Sequence, residues 1–199
     1  MTRVTIFDYG AGNLHSLAKA LAGDCVSLAV ESDPAVALRT DVLVLPGVGN
    51  FSQAAARLTS ARAAMRDAIR DGLPTLGVCL GMQLLFESSA EGSGRGLGVL
   101  PGRVDRVNAD RVPHIGWNTV DSARDPLFRT AALDTAYFAN GYACRPGNEA
   151  IVTAWTTHER DRFPAAIRAG NTVGVQFHPE KSSRAGVRFV RAFLAEAAR

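Results

Sequence analysis

Thr75-Leu76-Gly77-Val78-Cys79-Leu80-Gly81-Met82-Gln83-Leu84-Leu85-Phe86 is the stretch on which the reading of this chain turns. Thr75 to Val78 is an apolar run with strand character, and Met82 to Phe86 has the texture of a helix. Between them lies Gly77-Val78-Cys79-Leu80-Gly81, a Gly-x-nucleophile-x-Gly sequence at a strand-to-helix junction, the sequence form of a nucleophile elbow. Flanking glycines let the backbone turn sharply and pass close to neighbouring elements, which leaves the side chain at the tip exposed. The tip also lies near a helix N-terminus, whose partial positive charge favours thiolate over thiol. By itself the pentapeptide is equally compatible with Cys79 as a small buried core residue, the usual place of a free cysteine.

Working outward, the same alternation repeats. Val4–Phe7 reads as a strand, about Leu14 to Leu21 as a helix, and Val26–Val30 and Val42–Leu45 as further strands. A helix or helix pair spans about Ser52 to Arg70, with Gly72 and Pro74 as stop signals. This pattern predicts a three-layer α/β domain over residues 1–199, with a mainly parallel central sheet and helices on both faces. Gly92-Ser93-Gly94-Arg95-Gly96 reads as an exposed flexible loop. Residues 103 to 176 hold short alternating runs and turn pairs, which predict a smaller, partly antiparallel sheet. A helix from about Ala185 to Ala198 closes the domain, with Val187, Val190, Phe193 and Leu194 on one stripe. Ligands in such sheets bind beyond the carboxyl ends of the strands, and Asp8, Pro46-Gly47-Val48-Gly49 and Cys79 all fall just after strands.

The second chemical signal is Gly174-Val175-Gln176-Phe177-His178-Pro179-Glu180. Thr172 to Phe177 alternates like a strand and ends in His-Pro-Glu. Proline favours an extended residue before it, and residues two apart in extended chain point the same way, so His178 and Glu180 can share a face. A carboxylate on one imidazole nitrogen and a thiol at the other is the Cys/His/acid form of the Ser-His-Asp logic. His178 alone would read as a capping or surface histidine; together with the elbow cysteine it favours a triad.

Cys-Leu-Gly-Met-Gln after an apolar strand, with Gln-Phe-His-Pro-Glu near the C-terminus, resembles the class I glutamine amidotransferases. More narrowly, the chain is similar to the glutaminase subunits of imidazole glycerol phosphate synthases, from histidine biosynthesis. That narrower likeness rests on Asp8-Tyr9-Gly10-Ala11-Gly12-Asn13-Leu14, Leu45-Pro46-Gly47-Val48-Gly49, Pro113-His114-Ile115-Gly116-Trp117-Asn118 and His178-Pro179-Glu180-Lys181-Ser182. These stretches occur in the family's order.

The resemblance implies a reaction and its parts. Cys79 attacks the glutamine carboxamide to form a γ-glutamyl thioester, His178 shuttles protons, and Glu180 orients His178. Leu80 supplies one oxyanion donor from its backbone N–H, as at other elbows. Gly47, Val48 and Gly49 supply a second, through the Gly47–Val48 peptide, which must rotate before the hole is complete. Gln83, one helical turn after Cys79, contacts substrate, and Glu91 receives the α-ammonium. Where the family pattern usually reads Tyr-Phe-x-His-Ser-Tyr, this chain has Tyr137-Phe138-Ala139-Asn140-Gly141-Tyr142. Backbone contacts from Gly141 to glutamine are therefore expected, without the usual side chains. The family passes its ammonia to a (β/α)8-barrel cyclase as a heterodimer. The cyclase makes imidazole glycerol phosphate and an aminoimidazole carboxamide ribotide. Asn13, Trp117, Tyr137 and Lys181 are implied at or near that interface. Each has a plainer alternative: a helix cap for Asn13, core positions for Trp117 and Tyr137, and a solvated cation for Lys181. Gln83 could likewise brace a loop and Glu91 be solvated surface.

Composition fits without requiring this. The chain's 199 residues suffice for a full core but not for an additional acceptor-substrate domain. Cys25, Cys79 and Cys144 form an odd set without metal spacing, which suggests a reducing compartment; neither metal nor cofactor is expected. With no signal-peptide pattern at the N-terminus and no apolar stretch of membrane-spanning length, a cytoplasmic protein is expected. A net charge of +3 comes from scattered arginines without a basic run, which disfavours nucleic acid. Rival readings are a different amidotransferase subunit, such as that for pyridoxal phosphate, which should lack the His114–Asn118 stretch. A stand-alone cysteine hydrolase would be active without a partner, and a binding module of the same fold would show no turnover at all.

Overall fold

Short apolar runs separated by amphipathic segments produce strict alternation in the first half of the chain. Strands and helices follow as β1 (Thr2–Phe7), α1 (Leu14–Leu21), β2 (Val26–Glu31), α2 (Pro34–Ala37) and β3 (Val42–Leu45), then α3 (Phe51–Arg57), α4 (Arg62–Arg70), β4 (Thr75–Val78) and α5 (Leu80–Leu84). The structure is a computed structural model that describes residues 1–10 and 14–199. The second half is richer in strands: β5 (Ser88–Ser89), β6 (Gly102–Arg106), β7 (His114–Thr119), α6 (Pro126–Ala131), β8 (Thr135–Asn140) and β9 (Tyr142–Pro146). It ends with β10 (Val152–His158), β11 (Asp161–Ala169), β12 (Thr172–Val175) and α7 (Ser183–Ala197).

A seven-stranded sheet in the order β10-β11-β12-β4-β3-β1-β2 forms the middle layer. All pairs from β12 to β2 are parallel, and only β10–β11 and β11–β12 are antiparallel. The expected smaller, partly antiparallel sheet is present as β5-β6-β9, with β5–β6 parallel and β6–β9 antiparallel, and β7-β8 forms a third sheet. The departure is that β10, β11 and β12, which include the strand leading to His178, extend the central sheet instead of the smaller one. The reason is the parallel register of β12 on β4, Thr172 opposite Thr75 through Val175 opposite Val78.

Strand alternation builds the outer layers. In β3, Val42 and Val44 enter one apolar cluster and Leu43 and Leu45 the other, all fully buried. The first cluster gathers Leu17 and Leu21 of α1, Leu127 and Phe128 of α6, and Phe189, Val190 and Phe193 of α7. The second gathers Ala54 of α3, Met65 and Ile69 of α4, and Leu80 and Leu84 of α5. Helices therefore cover both faces of the sheet, each burying one apolar stripe. In α7 that stripe runs through Gly186, Phe189, Val190, Phe193 and Leu194, with Val187 only half-buried at its margin. Among the described residues, no helix is long and apolar enough to cross a membrane.

Candidate active site

The elbow forms as its glycines dictate. A methyl group at Gly81 would lie 2.0 Å from the Leu45 carbonyl oxygen, and one at Gly77 would lie 2.8 Å from Met82 N, so neither position admits a side chain. Cys79 between them has φ 48° and ψ −104°, a conformation that L-residues rarely adopt and that often marks functional turns. Its amide donates to the Val175 carbonyl at 2.7 Å, which ties the elbow to the end of β12. Leu80 opens α5, leaving its N–H in the helix's first turn.

His178 lies just past the end of that neighbouring strand. The strand stops at Val175, earlier than expected, and Pro179–Lys181 forms a single 3-10 turn. This turn, rather than an extended chain, brings Glu180 back so that Oε1 lies 2.9 Å from His178 Nδ1. With Nδ1 occupied by Glu180, Cys79 is the other group that acts on the imidazole, and both side chains line the same cleft. The histidine and carboxylate side chains are only 3% and 5% exposed. Burial works against charge on His178, but hydrogen bonds and charge from Cys79 and Glu180 outweigh it and push its pKa up to about 10. The balance favours the charged imidazolium beside Glu180.

Ser182 holds this arrangement, a role the sequence did not reveal. Its hydroxyl donates to the His178 carbonyl at 2.7 Å and accepts from the Tyr137 amide at 2.9 Å. The His178 amide in turn donates to the Tyr137 carbonyl. The small β7-β8 sheet is thereby fastened to the histidine segment.

A cleft of about 220 Å³ gathers the remaining candidates: Gly47, Val48, Gly49, Cys79, Leu80, Gln83, Glu91, Gly141, His178 and Lys181 all line it. Gly47 packs so closely that a methyl group there would meet Cys79 Cβ at 3.0 Å. Tyr9, which the sequence reading left without a role, donates its hydroxyl to the Pro46 carbonyl. Burial holds that phenol well above its usual range, so it stays a neutral donor. A larger cleft, about 400 Å³, lies beyond Val48 and Gly49 and contains none of the triad residues.

Within the smaller cleft the side chains divide their polar atoms. Gln83 Nε2 is used on the Tyr142 carbonyl at 3.0 Å and Gln176 Oε1 at 3.2 Å, leaving its own carbonyl oxygen for a ligand. Glu91 lines the cleft while its Oε2 accepts from the Phe51 amide at 2.8 Å, so it also anchors the start of α3. The Gly141 carbonyl accepts from Val107. Asn140, in place of the family's usual histidine, is buried and donates Nδ2 to the Tyr142 carbonyl at 3.0 Å.

Beside the cleft, β7 alternates in burial. His114 and Asn118 turn inward and meet at 3.2 Å, whereas Ile115 and Trp117 are 63% and 55% exposed. Trp117 stands edge-on to Tyr137 with ring centroids 6.3 Å apart, and Lys181 Nζ sits 5.8 Å from the Tyr137 ring. Trp117 is thus a surface residue, and Ile115 is an apolar neighbour that the sequence reading missed although strand periodicity contains it. Asn13 lies outside the described residues.

Fold and site together define a class before they define a particular enzyme. The family description "Glutamine amidotransferase class-I" matches residues 5–197. A solved structure titled "Crystal structure of glutamine amidotransferase" aligns with a TM-score of 0.78 at 19% identity, over 98% of this chain and 99% of that one, a likeness of fold alone. At the level of sequence the similarity is narrower. The chain is 46% identical to the imidazole glycerol phosphate synthase subunit HisH of Symbiobacterium thermophilum, over 96% of this chain and 92% of that protein. It is 40% identical to the HisH subunit of Gloeobacter violaceus, over 98% of this chain and 90% of that protein. The chain belongs to the class I glutamine amidotransferases and, within them, to the HisH subunits of imidazole glycerol phosphate synthase.

Proposed function

We propose that this chain hydrolyses glutamine to glutamate and ammonia and passes the ammonia to a (β/α)8-barrel cyclase in the cytoplasm, for histidine biosynthesis. The observation that carries this reading is the His178–Glu180 pair, joined at 2.9 Å, lining with Cys79 one cleft of about 220 Å³ in a member of this family. Cys79 Sγ attacks the carboxamide carbon, and the oxygen takes up charge facing the N–H of Leu80 and, once rotated, that of Val48. His178 gives its proton to the departing nitrogen, so ammonia leaves and a γ-glutamyl thioester forms. The now neutral imidazole takes a proton from water, hydroxide adds to the thioester carbon, and glutamate leaves as the thiolate re-forms. The free Gln83 Oε1 and the Glu91 carboxylate suit the substrate's amino end, and Gly141 supplies backbone polar contact. The cyclase uses the ammonia to close the imidazole ring of imidazole glycerol phosphate and releases the aminoimidazole carboxamide ribotide. The deciding experiment mixes the purified chain with a HisF-type cyclase and its phosphorylated acceptor, measuring glutamate and imidazole product together. Glutamate release without product would favour a stand-alone hydrolase.

Glu180→Gln should lower kcat by about 100-fold, the low end of what positioned proton transfer contributes. Its pH profile is more diagnostic. The His178 pKa is raised from its ordinary value of 6.5 to about 10, so the protonated acid is present below 10 and lost as pH rises through it. Removing the Glu180 charge removes one of the two groups that raise it. The alkaline limb of kcat/KM should therefore move below about 10 towards 6.5; an unmoved limb and full turnover would remove Glu180 from the triad.

Exposed Trp117, Ile115 and Lys181, with the half-buried Tyr137 between Trp117 and Lys181, form an apolar and cationic patch next to the cleft, which suits the cyclase interface. Trp117→Ala should raise the Kd for the cyclase by about 10- to 100-fold, the effect of truncating an aromatic anchor. Titration calorimetry reads this directly, and an unchanged Kd would place the interface elsewhere.

A further inference from the structure

Gln176 is completely buried beside Cys79, and the direction of its carboxamide is set by groups further away. The Tyr142 carbonyl can only accept, so the atom of Gln83 that meets it at 3.0 Å is the Nε2 donor. That same Nε2 lies 3.2 Å from one end of the Gln176 amide, which must therefore be the acceptor Oε1. The other end is then the amide nitrogen, and it lies 3.4 Å from Cys79 Sγ. Donor direction runs one way along this chain and ends on sulfur.

We propose that Gln176 is a further catalytic residue that donates a hydrogen bond to the Cys79 thiolate, and that Gln83 is the positioning residue that keeps its N–H aimed at sulfur. A thiol is a weak acceptor and a thiolate a strong one, so a fixed N–H here stabilises the ionised nucleophile. The donor is neutral and cannot lose its proton to substrate, whereas His178 must give its proton away at each turnover. Gln176 therefore keeps one hydrogen bond on sulfur while His178 is discharged. Other titratable groups around the sulfur are Tyr9 and Cys144, both held neutral by burial, Glu180 behind His178, and Glu91 and Lys181 on the cleft wall. The proposal rests on Cys79 being the nucleophile.

The test follows alkylation of Cys79 by iodoacetamide against pH, resolved by peptide mass spectrometry, in the full-length chain carrying Cys25→Ser to silence the exposed thiol. Gln176→Met keeps volume without a donor, and Gln176→Glu replaces the donor by an anion while leaving an acceptor for Gln83. The midpoint of the pH–rate curve should rise by about one unit in Gln176→Met, equivalent to about tenfold less thiolate, and by more in Gln176→Glu. In the cyclase complex kcat should fall about tenfold in Gln176→Met with KM little changed. Coincident midpoints in folded variants, judged by thermal unfolding, overturn the proposal. Should both Gln176 variants fail to fold, Gln83→Leu decides: its midpoint rises if Gln83 orients the donor, and an unmoved midpoint overturns the relay. Absence of Cys79 labelling in the native chain at every pH would instead reject the nucleophile and the proposal together.

Discussion

Cys79→Ala is expected to bring glutamine turnover down to background in the cyclase complex, a fall of at least about 10⁴-fold, because the proposed thioester forms on the sulfur that this change removes. The fold should survive, since alanine accepts the backbone conformation at φ 48° no worse than cysteine and leaves only a small gap at the elbow. A glutamine-like electrophile sharpens the test. The chain has an exposed competitor in Cys25 and a fully buried one in Cys144, whose thiol is held neutral by burial. Labelling should persist in Cys25→Ala and Cys144→Ala and vanish in Cys79→Ala. Covalent capture by Cys25 or Cys144 in place of Cys79 would refute the assignment.

Switching by the partner should be nearly as large. The loop proposed to carry the second oxyanion donor is fixed at both ends: Tyr9 holds the Pro46 carbonyl, and Asn50 caps α3 at Gln53 while Glu91 holds the Phe51 amide. Between these anchors stand Gly47, a half-exposed Val48 and Gly49 at φ 147°, a segment whose middle peptide can turn over without moving its ends. A peptide that presents its carbonyl instead of its N–H withholds one oxyanion donor, worth roughly 3–4 kcal/mol or about 100- to 1,000-fold in rate. Steady-state glutamine hydrolysis should therefore rise by about that factor from the isolated chain to the cyclase complex with ligand bound. Comparable rates in both would remove the gate. Val48→Pro deletes the donor N–H, so the stimulated rate should be lost in that variant while cyclase binding is kept.

Much of this architecture can be read along the chain because its signals are local. β3 and β4 fall where short apolar runs predict them, and the helix pair ends where Gly72 and Pro74 stop it. Membership of the central sheet could not be read locally. Whether β12 joins β4 or a separate sheet depends on a pairing between segments nearly a hundred residues apart, to which neither segment's composition testifies. The catalytic candidates divide the same way. Cys79 and His178 sit in short motifs, whereas Gln176, Ser182 and Tyr9 act through hydrogen bonds to distant backbone or side chains. Glu180 meets His178 for a different reason than extended-chain geometry supplies, since proline starts a tight turn there. For Glu91 the resemblance supplied a ligand role, and the structure adds a tie to the oxyanion loop's helix.

The position of β12 also has a consequence for synthesis on the ribosome. It is the last strand in sequence among the described residues, yet it enters the sheet between β11 and β4 instead of adding to an edge. Cys79 and Gln176 are 97 residues apart, so at roughly 5–20 residues per second the elbow waits roughly 5–20 seconds for its neighbours. Through that interval the nascent chain carries its cysteine without base or donor, and β4 has an open flank. On the proposed mechanism a chain that ends before Thr172 should release no ammonia, and its β4 is left open along one side to association with others.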